Sequence, residues 1–435
     1  MVDILPLRGL CYSVSHASGT VYSPPYDVID SAQRRSYLEQ NRYNVVRLTT
    51  GPSAEDDTWY AEAAATMDRW ISKGVLVRDR RPVFYGYEQR FRLPGGEPRV
   101  RRGFMGRIKL HGWGKGIHRH EHTQVAACAD RLRLMRAMRT NMSPVFGIYR
   151  DPNDELGQWL RSPEQPLVDF QDAGVRHLFW RIEDEQAISA LVRSMVDQDV
   201  IIADGHHRYK TALAYRDERH KLEGETHKPQ PYDYGLAYLT AAEDPGLSIL
   251  ATHRVIANVR DLRGLGDLGD LGHELLKALS ADFDVQPFDG PGSLANAVSA
   301  AAQEGVAIGA CLGDAGTWVL KLKSLDSLRR ATGGRIPREL IGLDVVVLQE
   351  MILQAHLGIS PDVLSSGKRV TYTIDEQQAR SKVASGQAQA AFILNPTTVD
   401  QVWQAASHGI TLPQKSTYFY PKLLTGLVFN PLDEA

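Results

Sequence analysis

An α+β architecture of mixed small sheets with packed helices follows from three features of this sequence. Short apolar runs bounded by glycine, proline and asparagine alternate with longer amphipathic stretches along all 435 residues. No segment recurs at the roughly 20 to 50 residue period of solenoids. No window reaches the ~18 consecutive apolar residues of a membrane span. A composition 43% hydrophobic and 23% charged suits a globular protein long enough for more than one core.

Three regions are expected. In 1–150, Asn44 to Leu48 reads as a short strand carrying Arg47, and Trp59 to Lys73 as an amphipathic helix. Pro82 to Phe91 and Val100 to Leu110 form a hairpin across Leu93-Pro94-Gly95-Gly96. An arginine-rich helix, Gln124 to Met138, precedes a strand at Val145 to Tyr149, and the turn residues Asp151-Pro152-Asn153-Asp154 suggest a cut. Region 151–260 reads as a helix over Glu183 to Asp197, a strand at Val200 to Ala203, a helix over Tyr209 to Lys221 and a β pair, Tyr232 to Thr240 and Leu247 to Ile256. Region 261–435 opens with a glycine-leucine repeat, Gly264 to Gly272, read as a connector. Helix, strand and helix patterns follow at His273 to Ser280, Phe283 to Phe288 and Ser293 to Gln303, then strands at Val306 to Cys311 and Thr317 to Leu322. An apolar helix, Val345 to Leu357, leads into a strand at Tyr372, a helix over Asp375 to Ala384, a strand at Ala390 to Leu394 and a helix over Val399 to Ser407.

A formal net charge of −2 offers no general attraction to nucleic acid or to anionic membranes, so neither is an expected partner. The cysteines, Cys11, Cys128 and Cys311, show no C-x-x-C spacing, and Met1 to Leu10 lacks a signal-peptide layout; a cytoplasmic location is the expectation. The P-loop, the dinucleotide glycine motif and the G-x-S-x-G elbow are all missing.

The run Asp204-Gly205-His206-His207-Arg208 compresses a strand end, a glycine turn and a helix start. Glycine lets the backbone bend sharply, and the helix directs unpaired N–H groups and its positive dipole end at an anion. A second run, Pro413 to Lys422, brackets Lys415, Ser416, Thr417 and Lys422 between prolines, a stiffened cationic loop suited to phosphates. The third, His118-Arg119-His120-Glu121-His122, spaces three histidines as metal ligands on an extended strand, or offers His120 and Glu121 for acid–base work. In Ser23-Pro24-Pro25-Tyr26-Asp27, Asp27 either binds a metal or caps a helix beginning near Ser31. His253-Arg254 interrupts an apolar run and is expected at a polar cleft or a sheet edge.

These runs, with Ser143-Pro144-Val145-Phe146 and Thr252-His253-Arg254, resemble the bacterial and archaeal family called domain of unknown function 1015. The order of motifs matches over nearly the whole chain. More distantly, strand-Asp-Gly-His-His-Arg-helix is similar to the Gly-x-x-Arg signature of the superfamily of ParB-type nucleotide-binding domains, sulfiredoxin and free-serine kinases. The resemblance implies a central ParB/sulfiredoxin-like nucleotide-binding core in which Gly205, His206, His207 and Arg208 line phosphates. His206 stands where sulfiredoxin has its cysteine.

The expected function is a nucleotide-dependent phosphotransferase acting on the hydroxyl of a small metabolite, best a free amino acid such as serine. ATP or ADP, with CTP a further candidate, would bind with Mg²⁺. Gly205, His207, Arg208, Lys415, Ser416, Thr417 and Lys422 are the expected cofactor-binding residues, and Asp27 and Asp204 the expected metal ligands. Glu121, His120, Asp204 and His206 are the expected catalytic groups. Two alternatives are a metal-dependent hydrolase or phosphatase using His118, His120 and His122, and a nucleotide-binding regulatory protein without turnover.

Overall fold

Strands from both sides of residue 150 pair into one nine-stranded sheet, so the hairpin of the N-terminal region and the histidine turn share a single scaffold. The computed structural model describes residues 2–52, 58–93, 95–123, 125–224, 228–257, 271–290, 292–365 and 369–433. The architecture is mixed α+β with several sheets. The chain divides into two units, residues 1–248 with 421–435 and residues 249–420. The glycine-leucine repeat, all but its last two residues, lies outside the described residues.

The nine strands of this sheet, all in the first unit, are β1 (Ile4–Leu5), β2 (Phe84–Arg92), β3 (Pro98–Lys109), β4 (Ile117–His118), β5 (Val145–Tyr149), β6 (Val168–Asp172), β7 (Val175–Ile182), β8 (Val200–Asp204) and β9 (Tyr234–Ala241). Their order is β4-β8-β5-β9-β3-β2-β7-β6, with β1 also on β3. The expected hairpin forms β2 and β3, antiparallel from Tyr85↔Met105 to Arg92↔Pro98. β8 runs parallel to β4 and antiparallel to β5, and its register with β5 shifts between Ile202 and Asp204. That irregularity ends the ladder and re-aims the strand's last side chain. Phe84, Phe104, Tyr149, Trp180, Leu191, Met195, Ile202 and Tyr209 share the core with this sheet.

The second unit has a six-stranded sheet of β10 (His253–Ile256), β11 (Phe283–Pro287), β12 (Ala307–Cys311), β13 (Thr317–Leu322), β14 (Val370–Thr373) and β15 (Ala390–Ile393), ordered β11-β13-β12-β15-β10-β14. Arg254 lies on β10 inside this sheet and is buried, not at an edge or in a cleft. Its guanidinium donates to the carbonyls of Thr252, Gln414 and Lys415, so the cation serves as a clamp on the loop that precedes Tyr418.

Three local expectations change. Asn44 to Leu48 is not a strand: the buried Asn44 side chain accepts from the Val46 N–H at 2.9 Å and starts the short helix Val46–Thr49, with Arg47 reaching the Leu38 carbonyl. A side chain that satisfies the first N–H groups favours a turn over a ladder. Asp30, rather than Asp27, caps the helix Ser31–Gln40, accepting from Ala32 and Gln33 at 2.8 Å each. The apolar helix at 345–357 is α-helical only over Asp344–Val347 and continues with π spacing over Leu348–Gln354. Among the described residues no helix is long and apolar enough to cross a membrane.

A second buried cation lies at the centre of the first unit. Arg101, on β3, donates to the Gln89 side chain and to the Pro421 carbonyl at 2.6 Å, and its guanidinium lies 4.8 Å from the Phe146 ring centre. Gln89 donates in turn to the Lys422 carbonyl at 3.1 Å. Hydrogen bonds from charged groups contribute about 1.5–3 kcal/mol, and a buried carbonyl left unpaired costs a further increment. Arg101→Met is expected to lower unfolding stability by about 2–4 kcal/mol, read as an earlier urea midpoint; an unchanged midpoint would remove the clamp from this account.

Candidate functional site

The turn at the end of β8 is held by its glycine for two separate reasons. Gly205 sits at φ +88°, a left-handed conformation that disfavours any residue with a Cβ, and such a Cβ would stand 2.8 Å from Nε of Arg208. The chain then enters the helix His206–Glu223, whose first N–H groups have no carbonyl partners within the helix. Asp204 accepts from the Gly205 N–H at 2.7 Å, its Oδ1 lies 3.6 Å from an Arg208 nitrogen, and its Oδ2 receives the Lys422 ammonium at 2.9 Å. The Lys422 contact joins positions 218 residues apart within one unit. Arg208 also donates to the Pro144 carbonyl, which fixes its fork over the turn.

Burial by itself would raise the Asp204 carboxyl, but the Lys422 ammonium and the Arg208 guanidinium outweigh it and hold that group well below the usual carboxylate range. His120 and His206 lie behind the turn, buried, with ring centres 4.7 Å apart and planes at 81°. Nδ1 of His120 faces the Ile202 carbonyl at 2.8 Å, so it carries the proton and Nε2 is the basic nitrogen of the neutral ring. Nε2 of His206 accepts from the His120 backbone N–H at 3.4 Å. Burial lowers the His120 pKa to about 4 and drives that of His206 well below its ordinary value, an effect to which the neighbouring His120 adds. With both rings neutral, two cations face one carboxylate, and the turn keeps an excess positive charge beside a helix N-terminus. An anion of at least one negative charge is the complementary guest.

Six expected residues are therefore brought together: His120, Asp204, Gly205, His206, Arg208 and Lys422. Glu121 and His207 adjoin them in sequence and are half-buried. Lys415, Ser416 and Thr417 belong to the second unit, where Lys415 is exposed at φ +58° and the buried Ser416 hydroxyl donates to the Pro413 carbonyl. The sequence pattern assigns no role to Tyr26, Gln89 or Arg101. The visible signal for the last two was a glutamine and an arginine at buried positions of a β hairpin. Tyr26, next to Asp27, packs its ring 4.2 Å from the Arg131 guanidinium, whereas Asp27 is exposed on the short turn Tyr26–Val28.

The metal expectations do not fit this arrangement. Nε2 of His118 lies 3.1 Å from Asp199, His120 is committed to Ile202, and His122 is exposed, so the three histidines do not converge. β4 ends at His118, which removes the extended strand that would have put them on one face. Both oxygens of Asp204 are already engaged by Gly205, Arg208 and Lys422. Among the described residues no group of three or more His, Cys, Asp or Glu side chains is arranged to hold a metal ion. The histidine-cluster hydrolase loses its basis.

A family profile described as protein of unknown function (DUF1015) matches residues 4–346. The chain belongs to the DUF1015 family. No curated protein matches the sequence. Among solved structures, a conserved hypothetical protein from Pyrococcus furiosus is 13% identical, with 75% of this chain and 95% of that chain covered at a TM-score of 0.33. A free serine kinase in complex with AMP is 13% identical, covering 75% and 92% at 0.34. SbnI with a C-terminal truncation, from Staphylococcus aureus, is 11% identical, covering 76% and 90% at 0.33.

The buried His120 makes stability depend on pH. Folded, it takes a proton near pH 4, while an unfolded histidine does so near 6.5, so the unfolded chain binds more protons between those values. Stability present above pH 6.5 is lost as pH falls toward 4. His120→Gln is expected to flatten this loss by roughly 3 kcal/mol, measured by urea unfolding at pH 7, 5.5 and 4. Parallel slopes for both proteins would show that His120 is not held neutral by the fold.

Proposed function

We propose that the turn binds the terminal phosphates of a nucleotide and that the protein transfers a phosphoryl group to the hydroxyl of a small metabolite, best a free amino acid such as serine. The observation that carries this reading is the convergence of Lys422 and Arg208 on the N-terminal turn of one helix at Gly205. Phosphoryl transfer asks a protein mainly for positioned cations and N–H donors, together with a base near the attacking hydroxyl.

In this reading Asp204 holds Lys422 and Arg208 apart and in place until phosphate oxygens share them. Gly205 sets the turn, and the N-terminus of the helix that follows, with His207 in its first turn, faces the phosphates. His120, neutral at pH 7 with Nε2 as its basic nitrogen, or the adjoining Glu121, takes the proton of the acceptor hydroxyl. His206 holds the His120 backbone and its ring at a fixed angle, a positioning role. ATP, ADP and CTP remain candidate donors.

A phosphorus NMR screen of these nucleotides against hydroxylated amino acids and polyols tests the reading. A new phosphomonoester resonance is expected with one acceptor, lost with folding intact in whichever of Glu121→Gln and His120→Gln removes the base. Lys422→Met and Arg208→Ala should each weaken nucleotide binding about 10- to 100-fold, the equivalent of one charge-assisted hydrogen bond. Nucleotide-induced thermal stabilisation without any product would convert the assignment to a regulator without turnover. Wild-type affinity in both cation variants would end it.

A further inference from the structure

Beside the turn, the first unit contains a pocket with about 590 Å³ of empty space counted out to its open mouth. This slot is partly enclosed and partly open. Arg208 belongs to its wall, so the slot adjoins the cations of the phosphate site. Met135, Met142 and Leu236 supply apolar, adaptable faces, and Tyr26 with the Arg131 guanidinium against its ring supplies a flat one.

One polar atom in the wall lacks what it needs. Thr211, one turn after Arg208 on the same helix, is 1% exposed, and its Oγ1 has no hydrogen-bond partner among the described residues. Buried hydroxyls are nearly always paired, and such exceptions call for an explanation. A ligand edge carrying a donor or an acceptor would pair it.

We propose that this slot seats the planar heteroaromatic base of the nucleotide, with its edge on Thr211, one face toward Tyr26 and Arg131, and the phosphates leading out past Arg208 to Lys422. The assignment rests on the phosphate reading of the turn and adds the part of the ligand that gives selectivity. It also gives the Ser-Pro-Pro-Tyr-Asp run a role through Tyr26, where the sequence had singled out Asp27.

The test compares ATP, CTP and inorganic tripolyphosphate by calorimetric titration, with adenosine and cytidine followed by ligand-observed NMR. Thr211→Val keeps the side chain's shape and removes the unpaired hydroxyl, and Met142→Trp fills the slot. Wild type should bind one nucleotide at least 10-fold more tightly than tripolyphosphate, and should bind its nucleoside alone. Thr211→Val should melt no lower than wild type in the absence of ligand, yet lose roughly 5- to 10-fold in nucleotide affinity. Met142→Trp should lose nucleoside binding, and both variants should hold tripolyphosphate as wild type does. Unchanged nucleotide and nucleoside binding in both variants overturns the slot assignment, as does an equal loss of tripolyphosphate. Failure of the phosphate reading has another signature: tripolyphosphate would bind no better to wild type than to Lys422→Met, whatever the slot variants show with adenosine.

Discussion

The carbonyl clamp made by Arg101 is the contact on which the candidate site depends. A guanidinium with no access to water must donate its protons to the protein, because leaving them unpaired in a low-dielectric interior is costly. Arg101 and the neighbouring Gln89 meet this need with the main-chain carbonyls of Pro421 and Lys422. Two residues from the far end of the chain are thereby fixed against the central hairpin of the first unit. The Lys422 ammonium can then lie at Asp204 without the entropy of a free surface lysine.

The turn itself is built from opposing demands. A carboxylate at the start of a helix, two cations around it and two neutral imidazoles behind it leave one positive charge in excess among these five groups at a helix N-terminus. None of these groups is exposed enough for bulk water to screen it fully, so the field at the turn is stronger than the overall net charge of −2 would suggest. Arg254 repeats the carbonyl-clamp device in the second unit, on the backbone of Gln414 and Lys415. The run from 413 to 422 is thus held by buried arginines at both of its ends, each within its own unit.

Elements whose signal is local were legible. The hairpin of β2 and β3 and the helices at 58–72, 125–138 and 185–195 follow from apolar periodicity and glycine or proline punctuation. The strand-glycine-helix turn at 204–208 was legible for the same reason, since φ +88° at Gly205 is a property of neighbouring residues. The segment at 44–48 failed where one buried asparagine outweighed the β propensity of three apolar neighbours. The spacing His118-His120-His122 suggested chelation because two-residue steps share a strand face, but the strand stops at His118 and the premise with it. Arg254 reads as a cation out of place, which it is by composition and not by hydrogen bonding.

Residue types and their order were enough to establish a mixed α+β protein of the DUF1015 family with a strand-glycine-helix turn at Gly205, because backbone conformation, helix polarity and motif order are written over a few residues at a time. Which lysine would complete that turn, which aspartate would be neutralised and which threonine would be left facing an open slot depended on pairings across 218 positions and on burial that no window of sequence contains. Lys415 and Lys422 are alike in charge and seven positions apart in the numbering; folding placed Lys422 on Asp204 and left Lys415 exposed, because the buried guanidinium of Arg101 needed the carbonyl just before Lys422.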